Sequence, residues 1–391
     1  MSEPFDHAGA NFAADPHAAF QKWRPVGAVR HGTSRWPFIS LFRYDDIKRA
    51  LCDWRTWSSE IPAIRELLLG DAAVMVQDDP PRHTVFRRCV APHLSPRQLA
   101  RDGLDIAAIV ARRVTPLFET GGDAVEDVGA QIALDVILGL VGLPASDRDY
   151  LREWTNRFSR AVGAELASTD EVVLENQRRA ITVIHAELSE YVLRIIRDGP
   201  KLGGLIERSA DWPISSEDRV GLIKSIAFAG NHTSALMIAN TLWLFSQFPD
   251  QLERLRRGAA VDAATEEVFR FKAVFRGITR IATRSGTLRG VTFHPGDNLL
   301  MWLTSGNFDP DSYLNAERFD ITRDGPAHLA FAVGPHHCVG AALARAEITA
   351  LVGLLARRAS AIVLKAEPQA VDDPWVDGFE RLELRILENG A

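Results

Sequence analysis

The chain has 391 residues, 46% of them hydrophobic and 25% charged, with a net charge of −6 at pH 7. That is material for a large core, and the mildly acidic balance excludes a general affinity for nucleic acid or for an anionic membrane surface. Three cysteines, Cys52, Cys89 and Cys338, are too few and too scattered for a disulfide framework or a thiolate zinc site, and they fit a reducing compartment.

Residues 1–19 mix Asp, Pro, Gly, Asn and His, with neither a basic start nor an apolar run, so they read neither as a secretory signal nor as a membrane anchor. Short strand candidates follow at 28–31 and 38–42, then a helix opening at Tyr44-Asp45-Asp46. Residues 61–79 read as a loop or broken helix. From Pro80 to Phe248 apolar residues recur every three or four positions, over 107–118, 128–141, 147–162, 171–197 and 217–248, punctuated by Pro144, Gly199-Pro200 and Pro213. Between Arg280 and Leu303 the period shifts toward two, and the tail alternates in places. These elements predict a mainly α (α+β) fold: a single domain over 1–391, strand-rich near 20–60, 280–303 and the C-terminal tail, and cytoplasmic.

The segment 217–248 predicts a helix of roughly 45 Å, opened by Ser215-Ser216-Glu217-Asp218. Lys224, Asn231, His232 and Asn240 interrupt its apolar run, which argues against a membrane span. Its middle reads Ala229-Gly230-Asn231-His232-Thr233-Ser234. Such a polar cluster in a buried helix is costly unless it is partnered or functional. Hydroxyls bonded back to their own helix would also account for it.

The segment His328 to Gly340 is a loop rich in Gly, Pro and His that carries Cys338 and runs into Ala341–Glu347. A cysteine at a helix mouth meets free N–H groups and a partial positive charge, which favour thiolate. Phe331, Gly334, Cys338 and Gly340 stand in the order Phe-x-x-Gly-x-x-x-Cys-x-Gly. This resembles the haem-ligand loop of the cytochrome P-450 superfamily, with Ala332 where a glycine is usual.

The resemblance covers nearly the whole chain. It implies a soluble, bacterial-type haem-thiolate monooxygenase with haem b (iron protoporphyrin IX), in which Cys338 is the axial ligand of the iron and Phe331 and Gly340 lie beside the cofactor. Ala229 and Gly230 match the small residues that leave room for dioxygen, and Thr233 the threonine that manages oxygen and protons. His232 stands where the family has an acid, so it is the expected proton relay. His83, Arg87, Arg280 and His336 match partners of the haem propionates. Glu267, Arg270 and Arg318 match a structural Glu-Arg-Arg triad. Ile226, Ala227, Val274, Phe275, Ile278 and Phe379, with Ile64, Leu68 and Val74, are expected to line a pocket for a small hydrophobic or aromatic substrate; Arg65, Arg276 and Asp377 are candidate polar anchors.

The chain has no nucleotide-binding fingerprint of its own. Electrons are therefore expected from a ferredoxin or flavodoxin with its reductase, with no nucleic-acid or membrane partner. The implied reaction is hydroxylation or O-dealkylation. The departure at His232 motivates one alternative, the same fold used as a peroxygenase or for an oxidation without oxygen insertion; an alternative of another class is a haem-binding sensor or carrier without turnover.

Overall fold

The computed structural model describes residues 5–389 except 8, 10, 11, 13, 14, 33–36, 63, 64, 66–74, 168, 169, 200 and 201. The expected pocket residues Ile64, Leu68 and Val74 lie outside the described residues. Eight helices carry the argument: α1 (Arg82–Val90), α2 (Ile106–Glu119), α3 (Ala130–Val141), α4 (Arg148–Ala167), α5 (Glu171–Asp198), α6 (Ser216–Gln247), α7 (Val261–Phe271) and α8 (Ala341–Arg358). The bounds of α2, α3, α5 and α6 follow the apolar periodicity to within two residues, whereas α4 runs to Ala167, past the expected end at 162. α3 starts two residues late because 124–129 wind as a π-turn.

α6 is the axle of the fold. Ser215 caps it by accepting from the Asp218 N–H, and Glu217 and Asp218 sit in its positive first turn. It packs along α3, α5 and α8. Its residues from Val220 to Ile226 and from Ser234 to Leu242 are all buried. One core joins these helices, with Ile137, Trp154, Leu188, Leu236, Ile238 and Leu351 among its members. Burying each such side chain is worth about 1.5–3 kcal/mol.

The strands gather as the sequence suggests, although they come from distant parts of the chain. β1 (Ala28–Gly32), β2 (Pro37–Leu41), β3 (Trp57–Ser58), β4 (Ile278–Ala282) and β5 (Asn298–Met301) form one sheet in the order β1-β2-β5-β4-β3. β2 and β5 run parallel, with Ile39 opposite Leu299; the other pairs are antiparallel. The tail strand Glu383–Glu388 pairs with Ala359–Leu364. Among the described residues, no helix is long and apolar enough to cross a membrane.

Candidate functional site

The Cys338 loop is held from several directions. The Cys338 N–H donates to the Phe331 carbonyl at 2.8 Å, and the His337 N–H donates to Gly334 at 3.1 Å. Arg87 on α1 reaches the His337 carbonyl at 2.6 Å. Gly334 has φ +77°, and a Cβ there would lie 2.7 Å from the Leu51 carbonyl oxygen, so both its conformation and its packing require glycine. Ala332 sits at φ +53°, a left-handed conformation that costs an alanine about 1–2 kcal/mol. Ala332→Gly should therefore stabilise the protein by about 0.5–1 kcal/mol, read as a higher denaturation midpoint; an unchanged or lower midpoint would show that the turn is unstrained.

Cys338 lies deep in the protein, yet it keeps an accessible surface. Burial pushes its thiol up. The N–H groups of Gly340 and Ala341 at the start of α8, with the charges of Arg87 and Arg345, work against that shift. A Cβ on Gly340 would meet Cys338 Sγ at 3.8 Å and no other atom within 4 Å, so the backbone beside the sulfur is open.

A cluster of basic side chains lies next to the loop. The rings of His83 and His336 stand 4.2 Å apart. His336 Nε2 approaches Ser59 Oγ at 3.0 Å and the Asp79 carboxylate at 3.8 Å. Asp79 also accepts from Ser58 Oγ and the Ser59 N–H. Arg280 on β4 is drawn down to about 10 by burial, and it donates to the carbonyl of its own neighbour, Thr279. Burial and the nearby charges of His336 and Arg87 bring His83 down to about 4. His83, Arg280 and His336 thus come together around one carboxylate, Asp79, with Arg87 beside the two histidines. Sequence reasoning missed Asp79, because an acid before Pro80-Pro81 carries no signal of its own.

The polar stretch of α6 is partnered side chain by side chain, within an unbroken helix. Asn231 Nδ2 donates to Thr155 of α4 at 3.1 Å. Thr233 Oγ1 donates back to the Ala229 carbonyl at 2.6 Å. Ser234 Oγ donates to Glu347 of α8 at 2.6 Å. His232 is pushed down by burial, against an opposing pull from the Asp373 carboxylate. Ala229 is exposed in the middle of this mostly buried helix, with Phe228, Gly230, His232 and Thr233 half-buried beside it. Gly230 serves packing as well: a Cβ there would lie 2.4 Å from Ile137 Cδ1 of α3.

Glu347 is the second residue that sequence reasoning missed. It lies about two and a half turns beyond Cys338, is 1% exposed, and its Oε1 has no hydrogen-bond partner among the described residues. Burial pushes it from 4.5 to about 8, with the Ser234 bond pulling the other way. A signal existed: Leu343, Glu347 and Leu351 share one helical stripe, and two of the three are apolar. The fold favours the protonated acid, so the stability it contributes is present below about pH 4.5 and is lost as pH rises toward 8. Wild type should therefore lose stability relative to Glu347→Gln across that window; a difference flat in pH would mean that the carboxyl is ionised throughout.

The structural triad needs a correction. Arg270 bonds Glu267 through Nε at 2.7 Å and Nη2 at 2.9 Å, both side chains being buried. The third arginine is Arg323, whose Nε lies 3.1 Å from both Glu267 oxygens. Arg318 is exposed and offers its carbonyl to Arg270 and Arg323. The chain turns at Asn315–Arg318, which carries the Arg318 side chain outward and returns Arg323 to the carboxylate.

The pocket expectations divide. Ile226 and Val274 are buried and Ile278 is half-buried. Phe275 is 43% exposed and pairs through its backbone with Val376. Ala227 lies with Asn231, Trp154 and Leu188 around a small cavity toward α3 and α4, on a different side of α6 from Thr233. Phe379 packs 5.6 Å from Trp243 and under Lys272, about 15 Å along α6 from Thr233, so it belongs to the core rather than to the pocket. Asp377 pairs with Lys272 at 2.7 Å and Arg276 at 3.2 Å, and Arg65 with Asp78 at 2.6 Å. These charges are taken up by one another.

With this geometry in view, the comparisons are specific. A model of the cytochrome P450 family matches residues 259–376. The cyclomarin C epoxidase CymV of Salinispora arenicola is 31% identical over 360 residues, covering 88% of this chain and 89% of that one. The cytochrome P450 monooxygenase PikC of Streptomyces venezuelae is 29% identical, covering 96% and 92%. The crystal structure of CalO2 superposes with a TM-score of 0.86 at 25% identity, over 99% of this chain and 100% of that one. The fold and the cysteine loop define a haem-thiolate oxygenase. This chain belongs to the cytochrome P450 family. It is a monooxygenase, an oxidoreductase that incorporates oxygen; membership entails haem, dioxygen and a redox partner.

Proposed function

We propose that this chain binds haem b through Cys338 and oxidises a small hydrophobic substrate, by hydroxylation or O-dealkylation, with electrons from a ferredoxin or flavodoxin and its reductase. The observation that carries the reading is the pairing of two features around one loop. One is a cysteine sulfur met by two N–H groups at the start of α8. The other is a cluster of two arginines and two histidines, Arg87, Arg280, His83 and His336, with Asp79 as the acid beside it. Two propionates would answer the charges of Arg87 and Arg280 and accept hydrogen bonds from the two histidines, since a buried cation without an anion is costly. Arg280, His83 and His336 are placed to hold them, and Arg87 fixes the loop through the His337 carbonyl. The open backbone at Gly340 and the exposed Ala229 fit a flat group. Haem held there supplies the redox chemistry that activates dioxygen.

The residues of the chain govern substrate and protons. Ile226, Val274 and Ile278, with Phe275 and Val376, offer apolar surface suited to a hydrophobic molecule. His232 stands where relatives of this fold carry an acid, and it holds or passes a proton beside Thr233. The test is product formed per reductant consumed, with a reconstituted ferredoxin and reductase. His232→Ala should lower that ratio by about tenfold or more, and His232→Glu should restore part of it. An unchanged ratio at every pH would end the His232 proposal. If Glu347→Gln lowered it instead, the role would pass to Glu347, which reaches the same stretch through Ser234.

A further inference from the structure

Three separate segments meet beneath the cysteine loop, each contributing one polar side chain. Arg345 of α8 donates to Glu266 of α7 through Nε at 2.6 Å and Nη2 at 3.0 Å. His328, at the root of the loop and 3% exposed, brings Nε2 to 3.3 Å from the other side of the same carboxylate. The contact is polar but is not a hydrogen bond by its geometry. His328 Nδ1 accepts from the Ala330 N–H at 3.2 Å, which leaves the proton on Nε2, directed to Glu266. These two contacts hold Glu266 down at about 2 although burial would raise it.

The group connects to the sulfur by a short path. The Arg345 guanidinium lies 4.7 Å from the centre of the Phe331 ring. Phe331 packs 4.6 Å from Phe269 and 5.5 Å from His328, and its carbonyl accepts from the Cys338 N–H. Arg345 is also one of the two cations whose charge bears on Cys338. Arg345 is therefore a positive charge near the sulfur whose strength is set by its carboxylate partner. Neither the propionate cluster nor the Glu267 triad uses Glu266, Arg345 or His328.

We propose that Glu266, Arg345 and His328 are positioning residues that set the electron donation of Cys338, and through it the reduction potential of the iron. This rests on the reading of Cys338 as the thiolate ligand. Reduction adds negative charge at the site. Removing the Glu266 charge leaves Arg345 unopposed and favours the reduced state; removing the Arg345 charge does the reverse.

The experiment is redox titration of the haem-loaded Glu266→Gln, Arg345→Gln, Arg345→Lys and Glu266→Gln/Arg345→Gln proteins. Each is accompanied by the carbon-monoxide difference spectrum of the reduced protein. The potential should rise in Glu266→Gln, fall in Arg345→Gln, and stay near wild type in Arg345→Lys and in the double variant. A purely structural trio would instead loosen the loop in both single variants and move both potentials the same way. Retained thiolate bands with unmoved or same-direction potentials overturn the proposal. Absence of that band in wild type overturns the assignment of Cys338, and this inference with it.

Discussion

Cys338→Ser should abolish the red-shifted thiolate band of the reduced, carbon-monoxide-bound protein and take monooxygenase turnover to background. The sulfur sits at the mouth of α8 with N–H groups from Gly340 and Ala341 directed to it and Arg87 and Arg345 nearby, groups that oppose the upward push of burial and support an anionic donor. A serine oxygen there is a poorer electron donor to the iron, so the push that favours O–O cleavage is lost. Haem would still be retained in part, because His83, Arg280 and His336 are untouched. Haem content and the spectrum therefore separate loss of ligation from loss of binding. Turnover surviving at more than a few per cent of wild type would remove Cys338 from its place at the centre of the site.

Glu267→Ala should be among the most destabilising single changes in the chain. It leaves the guanidinium groups of Arg270 and Arg323 uncompensated, with side chains 3% and 9% exposed. Breaking a buried ion pair from one side costs about 3–5 kcal/mol, against a total stability of about 5–15 kcal/mol. Arg323→Ala should also be costly, since Arg323 additionally binds the carbonyls of Leu314, Asn315 and Arg318. Arg318→Ala should stay within about 0.5 kcal/mol, as an exposed side chain does. Denaturation midpoints of the three variants decide the matter. An Arg318→Ala loss equal to that of Arg323→Ala would restore the expectation drawn from sequence order.

That contrast shows where reading the sequence stops. Glu267 and Arg270 were legible because they lie three apart on one helix, and a helix brings such pairs together by itself. The third arginine was not. Arg318 and Arg323 are both close to the right place in the chain, and which of them returns to Glu267 depends on how residues 313–323 turn. Phe379 failed for a related reason: an aromatic residue near the C-terminus could line the cleft or fill the core, and only its packing on Trp243 tells which. Asp79 and Glu347 gain their importance from neighbours more than 200 and 100 residues away in sequence, His336 and Ser234.

The sequence by itself determined most of the bounds of α2, α3, α5 and α6, the long α6 with its polar centre, and the cysteine loop with its glycines. Each depends on the spacing of residues within one turn, one strand or one loop, where backbone geometry leaves few choices. The tertiary structure alone decided which polar groups meet: His83, Arg280 and His336 around Asp79, Arg323 on Glu267, Ser234 on Glu347, and Glu266 with Arg345 and His328. Those pairings follow from how separate helices pack, which no local pattern encodes. They matter because a charge removed from water finds its free energy in the partner that burial brings to it.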